Sequence, residues 1–151
     1  MTNAMQPLNE KWMGIDYGLA RIGVAVSDPM GMLARGLETI RWNGRDLPQI
    51  QDRLVYLAQQ HQVTGIVLGY PDRTDGRHAM LTEQVRSLAT YLEEKTGRPV
   101  LLRDERFTTV IAQRRLRERG IKEHKQRAII DQVAAEIILQ EHLDSRRKSG
   151  C

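Results

Sequence analysis

Cysteine is almost absent from this chain of 151 residues, in which Cys151 at the last position is the single example. No internal disulfide can form, so the fold depends on a packed core, and we expect a cytoplasmic protein. Four histidines, at 61, 78, 124 and 142, show no metal-binding spacing with cysteine, which argues against a structural zinc site. No apolar run approaches the roughly 20 residues of a membrane span.

Basic residues are in excess and unevenly distributed. The formal net charge is +4 and the sequence pI is about 9.5. Between Arg103 and Arg127 there are nine Lys or Arg residues against four Asp or Glu. Four arginines crowd one short stretch of this segment: Arg114, Arg115, Arg117 and Arg119. Such a strip predicts contact with a nucleic-acid backbone, and a solvated helix face is the alternative.

The length fits one domain with a substantial core. Residues 1–12 lack the basic, apolar and small segments of a signal peptide. We predict a disordered leader or cloning remnant over 1–12, one domain over 13–146, and a flexible tail over 147–151.

Hydrophobic periodicity predicts the element order βββαβαβαα. The first helix is expected from 47, with Asp46 as its cap. The fifth strand is expected to be short and buried. Three strands joined by short turns predict an antiparallel meander, and later strands should add in parallel. The predicted strands cover 12–17, 22–27, 33–41, 63–70 and 100–103. The other predicted helices follow a polar loop over 71–78, begin at Thr108 or Thr109, and run from about 125 to 146. This is an α/β fold with a mixed five-stranded sheet and helices on both faces.

Acidic residues stand at three places where apolar elements end or turn. Asp16 follows an apolar strand, Asp104 and Glu105 follow another, and Asp131 lies well inside the last helix. Flanking glycines at 14 and 18 should leave room for a metal and a phosphate near Asp16. If the three places converge, their repulsion requires a cation, and carboxylates suit Mg²⁺ or Mn²⁺. Paired divalent ions held by carboxylates catalyse phosphodiester hydrolysis.

Four motifs, in order along the chain, resemble the YqgF family, also called RuvX. They are Gly14-Ile15-Asp16-Tyr17-Gly18 with Arg21-Ile22-Gly23-Val24-Ala25, Val67-Leu68-Gly69-Tyr70-Pro71 with Asp75-Gly76, Asp104-Glu105-Arg106-Phe107-Thr108-Thr109, and the run from Asp131 to Gln140. The match extends from Met13 to Leu143. Tyr70, Asp72 and Arg73 depart from the family pattern in a loop, which bears on substrate contacts, and Phe107 replaces a usual Leu.

The resemblance implies an RNase H-like fold and a nuclease that trims the 5′ end of pre-16S rRNA. It implies that Asp16, Glu105 and Asp131 are the catalytic and metal-binding acids, with Asp104 the alternative second acid. Nucleic-acid contacts are expected from one set of arginines: Arg21, Arg73, Arg77, Arg106, Arg114, Arg115 and Arg117. Arg21 could instead hold a carboxylate.

Other functions remain open from the sequence. A Holliday junction resolvase acting on branched DNA is the first alternative, because the implied fold is shared with such enzymes. A non-catalytic RNA-binding module would use the same basic strip. An actin-like ATPase or sugar kinase also places an Asp beside Gly at a strand end, but it needs two such domains. The expected partners are structured RNA, pre-rRNA or possibly junction or single-stranded DNA, with no membrane and a monomer or weak homodimer.

Overall fold

The computed structural model describes residues 9–70, 78–104 and 108–149. Within them the element order is the one predicted from periodicity. The strands are β1 Trp12–Asp16, β2 Arg21–Ser27, β3 Ala34–Arg41, β4 Gly65–Tyr70 and β5 Val100–Asp104. The helices are α1 Leu47–Gln60, α2 His78–Thr96, α3 Thr108–Glu118 and α4 Glu123–Ser149. No helix in these ranges combines the length and apolar character needed to cross a membrane.

The five strands form one mixed sheet in the order β3-β2-β1-β4-β5. The pairs β1–β2 and β2–β3 are antiparallel, which confirms the predicted meander. The pairs β1–β4 and β4–β5 are parallel. β1 is therefore central, and its carboxyl end carries Asp16 at the edge of the sheet where α/β folds place their ligands.

One face of the sheet carries the larger apolar core. Ile15, Ile22 and Leu68 project from the strands into it and are fully buried. Leu54 of α1 and Leu88 of α2 complete the contact from above. These helices are amphipathic, so packing their apolar stripes on this face removes the stripes from water.

The other face is covered by α4, which packs across β1, β2 and β3. Its buried residues Ala135, Ile138 and Leu139 lie against the strands. Helix α3 does not lie on the sheet core but packs on α4 through Ala112 and Leu116. Helices therefore cover both faces, as the sequence predicts.

Two local predictions were only partly right. β5 is an edge strand in which Val100 is buried in the core, whereas Leu101 and Leu102 are 45% and 41% exposed. Asp46 is the N-cap residue of α1, as predicted, but its side chain makes no capping hydrogen bond and its carboxylate accepts from Asn43. Ordered structure also extends past 13–146, since Trp12 begins β1 and α4 reaches Ser149. The domain limits themselves stay a prediction.

Candidate active site

Asp16 is the last residue of β1, which is the central strand of the sheet. Its Cα is opposite Gly23 of β2 and beside Gly69 of β4. The side chain is partly buried. Directly opposed residues of an antiparallel pair project to the same face, and a side chain at 23 would point at α4. Asp16 therefore projects toward α4.

Gly23 is the position that lets α4 approach the sheet. A Cβ built on Gly23 would overlap the carbonyl oxygen of Asp131 and would lie 3.0 Å from the Asp131 Cβ. The helix backbone at Asp131 therefore rests directly on β2, beside the strand position occupied by Asp16. The sequence predicts this convergence of Asp16 and Asp131, and the geometry explains it by the missing side chain at 23.

The two neighbouring strands are also glycine where α4 crosses them. A Cβ at Gly14 would lie 2.7 Å from the Leu139 Cβ, and one at Gly69 would lie 2.6 Å from the Ile138 Cδ1. The expectation that Gly14 leaves room for a metal and phosphate is therefore wrong, since the helix fills that space. At Gly18 a Cβ would meet the Arg21 carbonyl oxygen at 2.5 Å, so this glycine serves the turn between β1 and β2.

The Asp131 carboxylate is desolvated and incompletely satisfied. Its side chain is 16% exposed, and Oδ2 lies 3.0 Å from the Arg21 Nε. That contact is an ion pair without hydrogen-bond alignment, so within the described part of the chain the buried Oδ2 has no hydrogen-bond donor. Burial raises the pKa of Asp131, while the positive charges of Arg21 and Arg41 oppose that rise. A buried acceptor left in this condition suits a further cation.

The turn that follows Asp16 is held from the opposite face. Tyr17 is buried, and its hydroxyl donates to Gln84 Oε1 at 2.8 Å. Its ring meets the Trp42 ring edge-on at 5.8 Å between centroids, and Trp42 Nε1 donates to the Gly18 carbonyl at 2.8 Å. Burial raises the pKa of Tyr17 to about 12, so the phenol stays neutral. These contacts fix the turn carrying Asp16 and Arg21.

A row of polar side chains on α4 fixes the helix against the edge strand β3. Glu136 Oε1 accepts from the Gly36 N–H at 2.6 Å. Gln140 Oε1 accepts from the Ala34 N–H at 2.9 Å, and Gln132 Nε2 donates to Thr39 Oγ1 at 3.3 Å. The three α4 residues are four apart and therefore share one helix face. These hydrogen bonds fix the position of α4 along the sheet, and therefore the position of Asp131 relative to the strands.

The basic strip lies on α3 and in the turn that follows it, and it is open to solvent. Arg114, Arg115, Arg117 and Arg119 are all exposed. Ala112 and Leu116, on the buried side of α3, contact the segment of α4 that contains Ile130 and Val133, the near neighbours of Asp131. The exposed strip is thus carried beside the helix segment that supplies the buried carboxylate.

Several predicted site residues lie outside the described ranges: Glu105, Arg73, Arg77 and Arg106. Asp104 ends β5, with its Cα beside Tyr70. Among the residues that the structure does describe, no group of three or more His, Cys, Asp and Glu is placed to hold a metal. Two of the three predicted acids, Asp16 and Asp131, are brought together. The sequence did not predict the position of Arg41. Its positive charge acts on Asp131, and its place opposite Arg21 depends on the register of β2 and β3.

Comparison with known proteins identifies the family and agrees with this fold. A family model described as "RuvX: Holliday junction resolvase" matches residues 10–145. A protein of Acetivibrio thermocellus is 39% identical over 137 residues, covering 90% of this chain and 96% of its own length. One of Streptomyces avermitilis is 44% identical over 139 residues, covering 91% and 88%. Both carry the name "Putative pre-16S rRNA nuclease".

Solved structures show the same fold at low sequence identity. Thermus thermophilus RuvC, in complex with a Holliday junction substrate, superposes with a TM-score of 0.57 at 17% identity, covering 91% of this chain and 95% of its own. The fowlpox virus Holliday junction resolvase gives 0.54 at 9% identity, covering 89% and 99%. The fold is thus the RNase H-like fold of these resolvases.

The matching family and its named relatives identify a nuclease, a hydrolase of phosphodiester bonds. The chain belongs to the RuvX family.

Proposed function

We propose that Asp16, Asp131 and Glu105 bind divalent cations, Mg²⁺ or Mn²⁺, and that the protein thereby hydrolyses nucleic-acid phosphodiester bonds. The observation that carries the proposal is the buried Oδ2 of Asp131, which lacks an aligned donor among the described residues and lies on the same side of the sheet as Asp16. Oxygen donors of this type fit a hard cation. When bound, such cations supply activation of water and stabilisation of the charge that develops on the phosphate.

The protein's own residues supply position and electrostatics. Asp16 is held by strand pairing on both sides and by the Tyr17 N–H, which donates to the Gly69 carbonyl at 2.9 Å. Asp131 is held by helix packing on Gly23. Both carboxylates therefore sit on rigid elements, which keeps the acidic site organised before substrate arrives.

The exposed arginines of α3 are proposed to bind the backbone of the nucleic acid. Changing Arg114, Arg115 and Arg117 together to Glu should weaken binding to all sequences. It should also reduce the slope of log affinity against log salt by about 0.9 for each lost contact on duplex DNA, and by about 0.7 on a single strand. Fluorescence anisotropy across a salt series measures both effects.

A matched control changes Arg35, Arg86 and Arg98 to Glu. These arginines are exposed, lie outside α3 and alter the net charge by the same amount. The control should keep most of the salt slope. Equal losses in the two triple variants would mean that net charge, and not the α3 strip, governs binding.

The natural substrate that we propose is the 5′ end of pre-16S rRNA, in ribosome biogenesis. The names of the relatives from A. thermocellus and S. avermitilis support this substrate. Branched DNA is the second candidate, favoured by the family description and by the fold shared with RuvC. Purified protein should be given matched single-stranded RNA, single-stranded DNA and four-way junctions, with Mg²⁺ and Mn²⁺ separately. Cells depleted of the protein should accumulate 16S rRNA with immature 5′ ends.

Normal 16S rRNA ends in depleted cells, together with cutting of junctions but not RNA, would reverse this ranking. Cytoplasmic location, a monomer or weak homodimer, and a single domain that includes all of β1 and α4 complete the proposal. Sedimentation at several protein concentrations measures the oligomeric state.

A further inference from the structure

Two arginines lie directly opposite each other on neighbouring strands, at the end of the sheet that carries Asp16. Arg21 is the first residue of β2, Arg41 is the last residue of β3, and their Cα atoms are register partners. Like charges directly opposed on neighbouring strands destabilise the pair. Both residues are exposed, which reduces this repulsion but does not remove it. The strand pairing alone gives no reason for two cations at this position.

Within the described residues, the one ion pair made by either arginine is between Arg21 and Asp131. Arg21 contacts Asp131 with 44% of its own side chain exposed. Arg41 makes no ion pair with any residue in the described ranges, whereas Arg53 nearby on α1 is paired with Glu38 at 2.5 Å. Among the described residues the two guanidinium groups thus have one ion-pair partner between them, Asp131, which is also a proposed cation ligand.

The pair lies on the face that carries the acids. Arg21 and Gly23 are two apart on β2 and so share a face, and Gly23 faces Asp131. Arg41 is opposite Arg21 and projects the same way. The positive charges of both arginines act on the pKa of Asp131, which agrees with this placement. A guanidinium presents a planar set of donors that matches phosphate oxygens, and it does so better than an ammonium group.

We propose that Arg21 and Arg41 together bind a single backbone phosphate of the nucleic acid beside the Asp16 and Asp131 carboxylates. The proposal rests on the proposed function, because it requires a nucleic-acid substrate. Arg21 exchanges its poorly aligned contact with Asp131 for the phosphate, and Arg41 gains an anionic partner. The α3 strip contributes affinity along the backbone, whereas this pair fixes which phosphate lies next to the acids.

The test measures binding without turnover. Each variant is made in an Asp16→Asn background and assayed with single-stranded RNA and with junction DNA, in chelator, over a salt series. Arg41→Gln should reduce the salt slope by about 0.7 on the single strand or about 0.9 on duplex arms, as expected for one lost phosphate contact. Arg21→Gln should do the same. The double variant should lose no more than one such step, because the phosphate is bound only by the two guanidinium groups together and either single change already releases it.

Arg35→Gln is the matched control, since Arg35 is exposed on the same strand and lies at its opposite end beside Val26. Its slope should equal that of the parent. An unchanged slope for Arg41→Gln would overturn the proposal, and two full steps in the double variant would overturn the shared phosphate. Arg41→Gln breaks no ion pair within the described residues, so it remains informative if Arg21→Gln fails to fold. Absence of any binding by the wild type, with Mg²⁺ or Mn²⁺ as well as in chelator, would instead refute the proposed function.

Discussion

The two faces of the sheet are built on opposite packing rules. On the α1 and α2 side, large apolar residues such as Ile15 and Ile22 fill the interface. On the α4 side, glycines at 14, 23 and 69 remove side chains so that the helix backbone lies against the strands. Polar hydrogen bonds from Glu136 and its neighbours then fix that helix in place.

This difference in packing assigns most of the apolar stabilisation to one face of the sheet and the placement of the candidate site to the other. The first face removes much apolar surface from water and tolerates exchange among residues of similar volume. The second face sets the position of a single carboxylate, Asp131, relative to Asp16. Substitutions on the two faces should therefore separate loss of stability from loss of activity.

Among the packing substitutions, the largest effect on turnover is expected at Gly23. Gly23→Ala places a Cβ against the Asp131 carbonyl oxygen and must displace α4, at an overpacking cost of about 1–3 kcal/mol or more. Turnover per folded molecule should fall severely, because Asp131 moves with the helix. Urea denaturation together with turnover corrected for the folded fraction measures the two losses.

Ile15→Ala on the opposite face is the contrast. It should destabilise by about 2–5 kcal/mol through lost burial and a cavity. Turnover per folded molecule should remain near that of the wild type. If Gly23→Ala kept full turnover, or if Ile15→Ala lost it in proportion, the division between faces would be wrong.

An intermediate effect is expected where α4 meets β3. Glu136→Ala leaves the partly buried Gly36 N–H without its acceptor, which should cost about 1–3 kcal/mol of unfolding free energy. Glu136→Gln keeps an acceptor oxygen and should lose less. Chemical denaturation measures the unfolding free energy of both variants. Equal values for the Ala and Gln variants would show that this hydrogen bond does not hold the helix.

The smallest effect is a dependence of stability on pH near the far end of α4. Burial, with the positive charges of Arg146 and Arg103, lowers the pKa of His142, which packs on Trp12 at 4.4 Å between ring centroids. The unfolded state therefore binds the proton more readily. The stability contributed by neutral His142 is complete above the unfolded pKa of about 6.5 and is lost as pH falls toward the lower folded value.

His142→Leu should therefore reduce the difference in melting temperature between pH 7.5 and pH 5.5. The carboxylates that also titrate at acid pH are common to both proteins and cancel in the comparison. A difference as large in the variant as in the wild type would assign the pH dependence to other groups.

Periodicity and turn residues were sufficient to predict the order of elements, since each helix and strand has a local pattern. The exposure of Leu101 and Leu102 was not predictable, because an apolar run looks the same on a central strand and on an edge strand. Asp46 was misjudged because Asn43 competes for its carboxylate. Both errors arise from neighbours that the local sequence does not specify.

The candidate site was predictable only in part, because some of its residues come together through strand register and not through a local pattern. Asp16 and Asp131 stand out as acids in apolar settings, and their convergence follows from the fold. The opposition of Arg21 and Arg41 depends on a register shift between β2 and β3 near Val24, which leaves Leu37 without a partner. A one-residue change of register would turn Arg41 to the other face, so its role was hidden from the sequence.

The most direct test is cleavage of RNA and junction substrates in Mg²⁺ or Mn²⁺ by the wild type, Asp16→Asn and Asp131→Asn. These isosteric changes delete charge and little volume. Loss of a supporting residue around a metal typically costs 10–100-fold, so loss of a ligand should cost at least about a hundredfold in turnover. Both variants should remain folded, and without metal Asp131→Asn should melt no lower than the wild type, because it removes a buried charge. Metal-dependent cleavage by the wild type that disappears in both folded variants is the predicted result. Near-wild-type turnover in either variant would contradict a carboxylate-held metal site. No cleavage by the wild type would favour a non-catalytic nucleic-acid-binding protein.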